Sequence, residues 1–110
     1  MQLARLRPIE LQRRVALERG SPYEPPETWV TERMLWADVI PLSVSGRAAY
    51  QQVAHSQATH VVRLRGRHAI SLGQHRFRWR GQILAPVEPA VDPDGTGRWT
   101  TVTVELQGDS

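Results

Sequence analysis

Cysteine is absent from all 110 residues, which removes disulfide staples, thiolate zinc sites and cysteine nucleophiles together. Lysine is absent too, so all 14 basic residues are arginine. Arginine codons are GC-rich, and a GC-rich coding sequence accounts for such a bias. Each arginine cluster is therefore weighed first as a solvated face. Aromatic residues make up only 6%. No apolar run reaches the ~18–20 residues that span a bilayer. The opening segment carries Arg5, Arg7, Arg13, Arg14 and Arg19 without a continuous apolar stretch, which argues against a secretory signal there, and the absence of cysteine makes the cytosol the expected compartment.

What is present is ordinary for a folded chain: 40% hydrophobic and 23% charged residues, with a net charge of +3. Chains of this size bury about two-thirds of their extended surface, enough for one modest core. The expected organisation is a single domain over 1–110, with 1–10 and 107–110 as flexible tails.

Short alternating runs separated by Pro, Gly and Asp predict strands. In 11–19 the apolar residues Leu11, Val15 and Leu17 fall on odd positions. Residues 20–27 hold three prolines and read as a loop. Residues 28–40 form a long strand apolar on both faces, Met34, Trp36 and Ile40 on one and Leu35, Ala37 and Val39 on the other. A chain with one core has to cover the second face, with its own helix or with a neighbouring subunit; Leu35, Ala37 and Val39 are the candidate subunit interface. Residues 45–57 predict one short helix, with Ser45 as N-cap and Ala49, Tyr50, Val53 and Ala54 on one face. Four strands follow. They cover 59–65 with His60, Val62 and Leu64 on one face, 75–80 with His75, Phe77 and Trp79 on the core face opposite Arg76, Arg78 and Arg80, 82–87 with Ile83, Ala85 and Val87 on one face, and 98–106 with Val102, Val104 and Leu106 inward. About six strands and one helix predict a mostly β fold, a small antiparallel β-barrel with one short α-helix.

Catalytic and metal motifs are thin. Asp92-Pro93-Asp94-Gly95 begins like a calcium loop, but the fifth and twelfth positions, Thr96 and Thr103, lack the required carboxylate. It reads as a turn. His55, His60, His68 and His75 show no helical i, i+4 pair with an accompanying glutamate. No GxSxG elbow and no phosphate-cradling glycine loop with lysine is present. The expectation is no enzyme, no cofactor and no metal.

Arg76, Arg78 and Arg80 alternate along one strand face at roughly 6.5–7 Å intervals, close to phosphate spacing. Arg63 and Arg65 extend this patch if their strand pairs with it. These five are the candidate DNA- or partner-facing residues. A small nucleic-acid-binding barrel using them is the alternative function.

The order of several loose motifs carries a resemblance. Arg14-Val15-Ala16-Leu17-Glu18-Arg19, Glu27-Thr28-Trp29 and Leu35-Trp36-Ala37-Asp38-Val39-Ile40-Pro41-Leu42-Ser43 come first. Ala58-Thr59-His60 then leads into Val61-Val62-Arg63-Leu64-Arg65, and Gly81-Gln82-Ile83-Leu84, Asp92-Pro93-Asp94-Gly95 and Gly97-Arg98-Trp99 close the series. Together this succession resembles the head–tail joining proteins of long-tailed bacteriophages, also called head closure or stopper proteins, with relatives in phage-like gene transfer agents. The resemblance implies a β-barrel that forms a homo-oligomeric ring, hexamer or dodecamer, in the virion neck. The implied partners are the portal–adaptor ring above, the tail terminator or tail tube below, and packaged double-stranded DNA in the channel, held without sequence readout. Assembly would take place in the bacterial host cytoplasm, with no membrane and no catalytic residues involved. A mobile segment narrows the channel in this family; here the candidate is 41–58, with Pro41, Gly46, Tyr50 and Val53.

Overall fold

The computed structural model describes residues 5–16, 27–42 and 58–109. Period-two patterning and Gly/Pro punctuation resolve there into six strands: β1 (Arg7–Ala16), β2 (Glu27–Pro41), β3 (His60–Arg65), β4 (His75–Trp79), β5 (Gln82–Pro86) and β6 (Trp99–Asp109). All pairings are antiparallel. They run in the order β1-β2-β3-β6-β5-β4 and close into a barrel, with β4 returning to β1. No helix occurs among the described residues. The helix expected over 45–57 lies outside them, as do Gly46, Tyr50 and Val53.

Closure leaves one interior, and the alternating side chains fill it. Ile9 and Leu11, Leu35 and Ala37, Val62 and Leu64, Phe77, Leu84, and Val102 and Val104 form one buried cluster. Every strand contributes, so no strand can leave without opening the core. Phe77 is completely buried, and a side chain of that size gains about 1.5–3 kcal/mol from burial.

The structure departs from the sequence expectation at both ends of the chain and in β5. The first strand begins at Arg7, and Ile9 is buried, so 7–10 are part of the barrel rather than a tail. Pro8 is tolerated because β4 meets β1 only from Glu10 onward, leaving an edge that needs no donor. The other expected tail is likewise part of a strand, since β6 runs on to Asp109, opposite Gln82. In β5 it is Leu84 that enters the core, not the row of Ile83, Ala85 and Val87. Leu84 stands opposite Phe77, and a register shift against β6 at Ile83/Leu84 buries both neighbours.

Beyond the barrel, β1 and β2 continue as a two-stranded arm. β2 pairs with β3 only over Ala37–Pro41. Among the described residues its outer edge from Glu27 to Trp36 has no strand partner. Where the arm leaves the barrel, Leu11 faces Arg33 while Gln12 faces Thr31, so Glu32 is an extra residue in β2. Such a bulge re-aims a side chain. Here Glu32 reaches Arg13 at 3.3 Å and His75 Nε2 at 3.7 Å.

Candidate functional site

The two faces of β2 have different fates. Leu35 and Ala37 are buried inside the barrel and Val39 packs on the same core, so they are core residues and not a subunit interface. The face left on the surface is the other one, with Met34 55%, Trp36 59% and Ile40 40% exposed. Sequence reasoning recognised the two-sided strand and assigned the sides the wrong way round. Both faces carry large apolar residues, Asp38 alone interrupting the outer one between Trp36 and Ile40, and the pairing of Leu35 with Ile9 and of Ala37 with Leu64 shows which one points inward. Large apolar side chains in a row on a small domain's surface mark an interaction site.

The arginines do not form one patch. β3 and β4 are separated by β2 and β1 in one direction and by β6 and β5 in the other. Arg63 and Arg65 therefore lie across the barrel from Arg76, Arg78 and Arg80. Arg63 places its guanidinium carbon 4.0 Å from the centre of the Trp99 ring, and exposed Arg65 stands opposite Trp99 in register.

The ladder itself is divided. Arg76 donates from Nε to Gln12 Oε1 at 2.7 Å and stacks 4.3 Å from the centre of Trp29. Burial, and then the charge of Arg78, lower its pKa from the ordinary arginine value. The guanidinium stays protonated at any working pH. Arg78 approaches Glu10 at 3.9 Å, and the same carboxylate accepts a hydrogen bond from Thr31 at 3.2 Å. Arg80 has left the strand: with φ 52° it forms a turn with Gly81, φ 73°, and covers Trp79 at 4.8 Å. Two residues with positive φ in a two-residue hairpin connection match the twist of antiparallel strands.

Trp29 and Gln12 escaped sequence reasoning. Gln12 is buried although it faces outward, because Arg76, its register partner on the adjacent strand β4, closes over it. No local pattern announces that contact.

The Asp92-Pro93-Asp94-Gly95 segment serves as a turn. Asp92 Oδ2 accepts the N–H of Gly97 at 2.8 Å, and Asp92 O that of Gly95 at 3.3 Å. Arg67 approaches the same carboxylate at 3.8 Å. His68 is likewise occupied with backbone, its Nε2 bonded to Arg65 O at 2.8 Å. Among the described residues no three His, Asp or Glu side chains gather as a metal site would require, and no helix is long and apolar enough to cross a membrane.

Compared with known protein families, the chain matches the one described as phage head completion protein over residues 1–107. No curated protein matches it.

Proposed function

The chain belongs to the phage head completion protein family, and from that premise we propose that it is a neck component of the virion that assembles as a ring. In this reading the ring sits between the portal–adaptor and the tail, closes the DNA-filled head and offers the tail its docking surface. The role is structural, with no catalytic step. Packaged DNA passes through the channel and is held without sequence readout.

The observation that carries the reading is the exposed row of Met34, Trp36 and Ile40 on β2. A ring needs a heterologous contact that repeats and closes, and an apolar strand face beside an edge that has no strand partner among the described residues supplies both burial and direction. The alternative of a nucleic-acid-binding barrel draws no comparable support. Its five arginines occupy opposite sides of the barrel, and Arg76 and Arg78 already have protein partners.

Light scattering on the pure protein, and on the protein mixed with its portal–adaptor complex, tests the proposal. The expected result is a monomer or weak oligomer alone and a ring on the complex. Replacing Met34 and Trp36 by Ser should abolish the ring and leave the monomer folded. A double variant that assembles like wild type would overturn the assignment of this face.

A further inference from the structure

At one end of the barrel β1 begins, β2 runs on toward Pro41 and the β4–β5 turn folds over. Arg5, Arg7, Asp38, Val39, Trp79 and Arg80 line a depression there. Arg7 follows the odd-numbered parity of Ile9 and Leu11, so it continues the inward column out to the mouth. Val39 and Trp79 pack on the core and give the depression an apolar floor. Arg80 is held over Trp79. Among the described residues, Arg5, Arg7 and Arg80 make no ion pair. Three cations without an ion pair thus border a concave site at a barrel mouth, a common place for ligands, with Asp38 the one acidic residue of its lining.

We propose that this mouth is a docking notch for an acidic peptide segment of a partner protein. Carboxylates of the segment fit among Arg5, Arg7 and Arg80, where charge-assisted bonds are strong. Duplex DNA requires a track of unpaired cations. None continues from the notch along β4, where Gln12 and Glu10 hold Arg76 and Arg78. The notch rests on the reading of the chain as a component that docks onto other virion proteins.

Fluorescence anisotropy of the full chain with a labelled oligo-aspartate tests it, with oligo-asparagine and a mixed-sequence DNA duplex as comparators. Oligo-aspartate should bind in a salt-sensitive manner and oligo-asparagine should not. Arg7→Gln and Arg80→Asn, the latter chosen because Asn suits the left-handed backbone, should each weaken binding about tenfold. Arg33→Gln, an exposed arginine on the arm, should leave it unchanged, and all variants should melt like wild type. Failure of wild type to bind oligo-aspartate would overturn the notch, as would equal loss in Arg33→Gln or tighter binding of the duplex. A chain that joins heads to tails and ignores oligo-aspartate keeps the neck role and loses the notch.

Discussion

Arg76 on β4 and Trp29 on β2 meet across the intervening strand β1, with the guanidinium carbon 4.3 Å from the ring centre. Beneath them Gln12 of β1 accepts the Arg76 Nε–H at 2.7 Å. Trp29 is also 5.9 Å from Arg14, which pairs with Glu27 at 3.3 Å. This contact makes a tightly packed outer face of a strand that sequence alone presents as a row of free cations. Its energetic consequence is unequal dependence on the three arginines.

Arg76→Gln should therefore destabilise the fold by about 1–2 kcal/mol, the sum of a cation–π contact and a charged hydrogen bond. Arg78→Gln, which breaks an exposed 3.9 Å pair with Glu10, should stay within about 0.5 kcal/mol of wild type. Arg76→Lys should not rescue, because an ammonium loses the planar stack. Urea unfolding of the three variants checks the order; equal effects would show that the Trp29 contact contributes nothing.

Thr100 is buried and its hydroxyl does two jobs, donating to Gly66 O at 2.7 Å and accepting the His68 N–H at 3.1 Å. Thr100→Val keeps the shape and deletes both bonds. It should cost about 1–3 kcal/mol, the usual penalty for stranding buried polar groups. Faster amide exchange at His68 is the local signature to measure.

At the β4–β5 turn a Cβ on Gly81 would meet nothing within 4 Å, so a substitution there tests backbone conformation alone. Gly81→Ala should lower stability by about 1–2 kcal/mol, the cost of a left-handed residue with a side chain. Arg80→Gly removes the same strain and also the Trp79 stack, so its net effect should be under about 1 kcal/mol. Thermal unfolding of both variants separates strain from contact.

Phe77→Ala empties the centre of the barrel and should cost about 3–5 kcal/mol. A domain of this size holds only about 5–15 kcal/mol in total, so a measurable unfolded fraction at 25 °C is the expected result. Trp36→Ser on the outside should shift stability by no more than about 0.5 kcal/mol and act only on assembly. Circular dichroism together with light scattering distinguishes the two.

Much of this was written in the order of residues. The succession from Val62 and Leu64 to Phe77 and then Val102 and Val104 is strict alternation, and each of those side chains reached the interior. Turns at Gly81 and at 92–97 follow from residues that tolerate or cap unusual backbone. The missing cysteines excluded their own chemistry without any structure. Local sequence determines such features because alternation and turn propensity act over a few residues.

Only the tertiary structure decided which side of β2 is core and which arginines are neighbours. Leu35 and Trp36 are adjacent and both apolar. Their opposite burial depends on pairing with Ile9 and Pro8, some 26 and 28 positions back in the chain. Likewise Arg80 left Arg76 and Arg78 to join Arg5 and Arg7 at the barrel mouth. A barrel's strand order is set by closing long loops against the gain of one shared core, a balance of non-local terms that no window of the sequence contains.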